Sequence, residues 1–148
     1  MKTIFKSSFV ILLFFFCAKA YSQVGITHYY PDVISVSYSP FTINQSAIGG
    51  EIKTFANREM RDIQLELDAF YHFTPREYHK FSVGVGFRTD YFTDGGDGNV
   101  VTFPVVLEVS PLKEFKKLSL NFELAPELYL EDRFTLRSLI GVKYYLGE

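Results

Sequence analysis

Tryptophan is absent from this chain, and cysteine occurs once, at Cys17. A single thiol builds no internal disulfide framework and no cysteine-based metal site. Long apolar runs are missing too. The main one, Phe9 to Phe16, is far shorter than the roughly 17–25 residues that a membrane-spanning helix needs. Any membrane passage of the rest of the chain must therefore use strands. Positive charge is not in surplus: 15 basic residues face 17 acidic ones, which argues against a nucleic-acid binder with its basic patch. No Gly-x-Ser-x-Gly, phosphate loop or His-Glu-x-x-His is present, so the common catalytic signatures are missing. Aromatic residues are plentiful instead, as 10 Tyr and 16 Phe.

The N-terminus has the three-part layout of a secretory signal peptide. Lys2 and Lys6 precede the apolar core, and Ala18-Lys19-Ala20 and Tyr21-Ser22 follow it. Cleavage after Ala20 or after Ser22 satisfies the small-x-small rule. Residues 1–22 are thus read as the signal peptide and 23–148 as one domain. Phe16 directly before Cys17 is a poor fit to a lipoprotein signal. Lys2, Lys6 and Lys19 are three of the 15 basic residues, so the remainder carries 12 against 17 acidic ones, a net charge of −5.

Leu118 to Leu130 alternates without a break. Leu118, Leu120, Phe122, Leu124, Pro126, Leu128 and Leu130 take even positions; Ser119, Asn121, Glu123, Ala125, Glu127 and Tyr129 take odd ones. Side chains of a strand point alternately to opposite faces, so one face is oily and the other polar. The same pattern recurs and predicts strands at about 33–41, 46–56, 63–73, 80–92, 100–110, 117–130 and 134–146, with Val24 to Tyr30 a weaker eighth. Ser39-Pro40, Thr74-Pro75 and Ser110-Pro111 recur at intervals of 35 and 36 residues. Proline cannot donate to a sheet ladder, so each pair marks a strand end. The proline turns carry Arg76, Lys80, Lys113, Lys116 and Lys117. The expected fold is all-β: an antiparallel up-and-down transmembrane barrel of about eight strands.

A soluble barrel has the same alternation with its oily face inward, where Leu120, Phe122 and Leu124 would line an apolar ligand cavity. Three features favour lipid. Several strands exceed ten residues. Aromatics gather near strand ends (Tyr38, Phe41, Tyr71, Phe73, Tyr78, Phe81, Tyr91, Phe92, Tyr129, Phe134, Tyr144 and Tyr145), as in interfacial girdles. The opposite face mixes Gly and Ser with Glu51, Lys53, Glu66, Asp68, Arg88, Glu108, Glu123, Glu127, Arg137 and Lys143. An eight-stranded barrel is only wide enough for side chains to fill it, and buried charges must pair. These ten residues are therefore expected to form an ion-pair network that plugs the lumen.

Ser22-Gln23 ending the signal peptide, the Gly84-Val85-Gly86 strand, the run from Phe103 to Pro111 followed by Leu118 to Pro126, and the ending Leu139 to Tyr145 together resemble a known group. It is the small, porin-like outer-membrane β-barrel proteins of Bacteroidetes. The resemblance implies an outer-membrane location, with outer-membrane lipid and the barrel-assembly machinery as partners. It carries no biochemical activity to transfer.

Thr93 to Asn99 is Gly- and Asp-rich but lacks the later Glu of a calcium loop, and reads as a connection between strands. His28, His72 and His79 have no metal-ligand spacing. No Ser, His and acid cluster suggests an enzyme, and no cofactor or nucleic-acid partner is expected. The expected role is structural or one of surface interaction.

Overall fold

The structure is a computed structural model that describes residues 22–40, 46–56, 63–76, 78–89, 99–111, 117–130 and 133–146. Residues 1–21 of the signal segment, Cys17 among them, the 93–98 stretch, and Phe41, Tyr91, Phe92, Lys113 and Lys116 lie outside the described residues. Among the described residues nine strands appear in order: β1 (Ser22–Tyr30), β2 (Val33–Pro40), β3 (Ala47–Ala56), β4 (Ile63–His72), β5 (His79–Thr89), β6 (Val100–Thr102), β7 (Val105–Val109), β8 (Leu118–Tyr129) and β9 (Arg133–Tyr145). Consecutive strands pair antiparallel, except β6 with β7, and β1 pairs with β9, so the sheet closes. β6 and β7 both lie between β5 and β8. They are two halves of one stave, and the barrel therefore has eight.

The expected strand at 100–110 is thus interrupted, at Phe103-Pro104. Pro104 has no N–H to give to the ladder. The neighbouring rungs hold the wall together: Phe103 N–H donates to Pro126 O (3.0 Å) and Gly84 N–H to Pro104 O (2.8 Å). The three Ser/Thr-Pro pairs sit where expected, ending β2 and following β4 and β7. They share one end of the barrel, called the proline end below.

Alternation decides which solvent each face meets. Phe122, Leu124 and Leu128 of β8 are 42%, 53% and 45% exposed, while Ser119, Glu123 and Ala125 are almost fully buried. The other staves follow suit. Ile34, Val36, Ile52, Leu67, Val85, Phe87, Ile140 and Val142 are exposed, and Ser35, Ser37, Lys53, Glu66, Asp68, Arg88 and Lys143 are buried. The outside is oily and the inside is charged. Leu120, Phe122 and Leu124 do not line an internal apolar cavity; they belong to the outer face. Among the described residues the buried apolar cluster is small: Tyr29, Val33 and Leu139, with Phe55 against it.

The walls differ in height. β8 and β9 pair along nearly their whole length, from Leu118 opposite Tyr144 to Tyr129 opposite Arg133. β1 meets β9 only from Gly25 opposite Tyr145 to Tyr30 opposite Ile140. Pro31 cannot continue the ladder, and the Pro31-Asp32 turn sends the chain back as β2. Arg133 to Leu139 therefore run on past the end of β1. The lower seam is tight: a Cβ on Gly141 would meet a Tyr29 ring carbon at 2.6 Å and the His28 carbonyl oxygen at 2.8 Å. Gly141 leaves the space that the inward-pointing Tyr29 occupies.

Candidate functional site: the charged interior

All ten charged residues singled out in the sequence face the interior. Nine are buried, and the Arg137 side chain is 11% exposed. Strand parity puts them there, and closure of the sheet brings residues from distant staves together.

Toward the end opposite the prolines, three cations meet four carboxylates. Arg137 on β9 reaches across the lumen to Glu66 on β4 through two parallel bonds, Nη1 to Oε2 at 2.7 Å and Nη2 to Oε1 at 2.6 Å. It also donates to Glu123 (2.9 Å) and lies 2.9 Å from Glu127. Arg88 forks onto Glu127 at 2.7 and 3.1 Å and lies 3.7 Å from Glu66. Lys53 lies 3.2 Å from Glu66, 2.7 Å from Asp68 and 2.8 Å from Glu123. Planar guanidinium groups match carboxylates two bonds at a time, which fixes geometry as well as charge. Hydroxyls complete the set: Thr135 donates to Glu127 (3.0 Å) and Thr102 to Asp68 (3.3 Å). Phe55 lies beneath the guanidinium carbons of Arg88 (5.1 Å) and Arg137 (4.8 Å), so its ring face meets two cations.

Toward the proline end the chemistry changes. Glu108 receives Lys80 (3.2 Å) and Lys143 (3.4 Å), the Ser119 hydroxyl (3.0 Å) and the Tyr145 hydroxyl. Lys80 also donates to Tyr145 Oη at 3.0 Å. His72 bridges Ser39 (2.9 Å) and Ser82 (2.6 Å). Between the clusters, Glu51 accepts bonds from the hydroxyls of Ser35 and Tyr29. A polar cavity opens here, lined by Ser37, Ser39, Glu51, His72, Lys80, Ser82, Glu108, Asn121 and Lys143. Its size suits about one or two waters. Asn121 Oδ1, on its wall, has no hydrogen-bond partner among the described residues.

Two assignments from the sequence are corrected. Lys80 is not a turn residue: it lies in β5 with its side chain buried inside. Parity carried that signal, because Phe81 outward requires Lys80 inward. Tyr129 and Tyr145 are not outer-girdle aromatics. Tyr145 is 4% exposed and bound to Glu108, and Tyr129 donates inward to Glu127. Both have the parity of their inward neighbours, Glu127 and Lys143. Tyr38, Tyr71, Phe73, Phe81, Phe134 and Tyr144 are outward and exposed. Tyr71, Phe73 and Phe81 form a ring cluster with centroids 5.2 and 5.5 Å apart. Among the described residues no His, Cys, Asp and Glu group has metal-holding geometry.

No protein-family model matches the chain, and no curated protein matches it. Two solved structures are similar. One is the Yersinia pestis outer membrane protein Ail in a phospholipid bilayer nanodisc, with 11% identity and a TM-score of 0.57 over 84% of this chain and 98% of that one. The other is the N-terminal β-barrel domain of Pseudomonas aeruginosa OprF, with 16% identity and a TM-score of 0.50 over 84% of this chain and 95% of that one. At these identities the likeness is one of fold.

Proposed function

We propose that this chain is a small outer-membrane β-barrel protein of the cell envelope, exported by its N-terminal signal, with a structural or surface-interaction role and no enzymatic activity. One observation carries the reading. The polarity is inverted relative to a water-soluble protein, with an exposed belt of Ile, Leu, Val and Phe around an interior of charges. Lipid is the solvent that suits such a belt, and a closed ladder leaves few backbone groups to satisfy. The barrel fold of two outer-membrane proteins supports the same reading. The partners it requires are outer-membrane lipid and the barrel-assembly machinery; no cofactor or nucleic acid has a part in it.

In this reading the lumen does not conduct. The Arg88, Arg137 and Lys53 cluster spans the interior from β4 to β9 and acts as a plug of ion pairs. Two measurements test the proposal. The expressed chain should fractionate with outer membranes and migrate differently on a denaturing gel before and after boiling. Reconstituted in planar bilayers, it should carry no steady ion current. A detergent-free soluble pool would sink the membrane reading, and a reproducible unitary current would sink the plug.

A further inference from the structure

Among the described residues, the tall wall ends in an edge that no strand pairs with. Leu146 N–H donates to Val24 O, and Tyr145 N–H donates to Lys117 O. Even-numbered residues of this strand thus turn their backbone groups toward β1, and odd-numbered ones toward β8. Below Ile140 the even-numbered groups are paired with β1. Above it, the N–H and C=O groups of Phe134, Leu136 and Ser138 point where β1 no longer runs. Among the described residues no strand pairs with them.

An open edge cannot rest in hydrocarbon, because each bare backbone group there costs several kcal/mol. On this side the hydrocarbon must therefore stop at or below the top of β1, near the outward His28 and Tyr30. The wall above it is nonetheless oily. Phe134 and Leu136 are each 63% exposed, and Leu128 and Leu130 are 45% and 67% exposed. An apolar patch beside a row of unpaired backbone groups is a template for another strand.

We propose that this edge, Phe134 to Ser138, binds an extended peptide segment of another protein by strand addition. The proposal rests on the membrane reading above and gives its surface-interaction role a partner chemistry. Such a peptide would run antiparallel to β9, over the Pro31-Asp32 turn. Its outward side chains would lie beside Phe134 and Leu136, which favours Val, Ile or Phe. Its inward side chains would border Thr135 and Arg137, which favours hydroxyl-bearing residues. A second copy in the same bilayer has its β9 running the same way, so its edge cannot supply this antiparallel strand.

The test uses the full chain in phospholipid nanodiscs and a lysine-flanked peptide alternating Val and Thr over seven positions. Amide hydrogen exchange is followed by NMR. Phe134, Leu136 and Ser138 should exchange fast alone and at least about tenfold more slowly with saturating peptide. Leu136→Pro removes an edge N–H that does not serve the ladder with β8, so the barrel should keep its heat-modifiable migration. It should bind the peptide about tenfold more weakly. Ser138→Pro repeats the test at a second edge position if Leu136→Pro fails to fold. Slow exchange without peptide, no slowing at saturation, or equal binding by wild type and the folded proline variant would each overturn the proposal. A barrel that inserts but ignores the peptide refutes the edge alone. Failure of the wild type to insert refutes the membrane reading itself.

Discussion

The two halves of the lumen hold charge in different ways. Toward the end opposite the prolines, two guanidinium groups and one ammonium share four carboxylates, with forked bonds of 2.6 to 3.1 Å on Glu66 and Glu127. Toward the proline end, two lysines share Glu108 at 3.2 and 3.4 Å beside a polar cavity. Arginine fits where the space is filled and the partners are fixed. Lysine, a compact charge on a flexible stem, fits where water can supply the missing bonds. One half is locked by geometry, and the other is held loosely with room to hydrate.

Breaking the locked half should have the largest effect. Arg137→Met takes from Glu66, Glu123 and Glu127 the cation all three share, leaving Lys53 and Arg88 to serve four carboxylates, and should cost about 3–5 kcal/mol in urea unfolding from lipid. Adding Glu66→Met to it should recover a substantial part of that loss, because an uncompensated charge costs more than an apolar pair. A double variant no more stable than the single one would show that the cluster is not governed by pairing.

The loose half should respond less. Glu108→Gln leaves Lys80 and Lys143 without a carboxylate, but both line a cavity with room for water. The expected loss is about 1–3 kcal/mol in the same assay. If Glu108→Gln proves as damaging as Arg137→Met, the contrast between the halves fails. Lys143→Met should be milder still, at about 1 kcal/mol, since Lys80 and two hydroxyls remain on Glu108.

Parity made much of this legible. With Phe122 outward, Glu123 has to face inward, and the same rule assigns nearly every wall residue from Ile34 to Val142. It also held the correct answer for Lys80, whose closeness to the Thr74-Pro75 turn suggested a connection instead. Partner choice was not legible. Arg137 meets Glu66 although 71 positions separate them, because the stagger of the closed sheet decides which inward residues share a level. Nothing local encodes that stagger. The uneven walls were hidden for the same reason. Pro31 is visible as a stop for β1, but the overrun of β9 emerges only when the seam is closed. The split at Phe103-Pro104 lies between: the proline is visible, whereas the intact rungs on either side are not.

The inverted faces also bear on ancestry. Outward positions need only be apolar, so Leu, Ile, Val and Phe can replace one another there at little cost. Inward positions need only balance as a set, so a cation can move from one stave to another if a carboxylate moves with it. Each rule constrains a pattern and leaves identities free. A lineage built this way loses letter-by-letter kinship quickly while its architecture persists, and common descent among such barrels is better sought in stave count, stagger and the placement of inward charge.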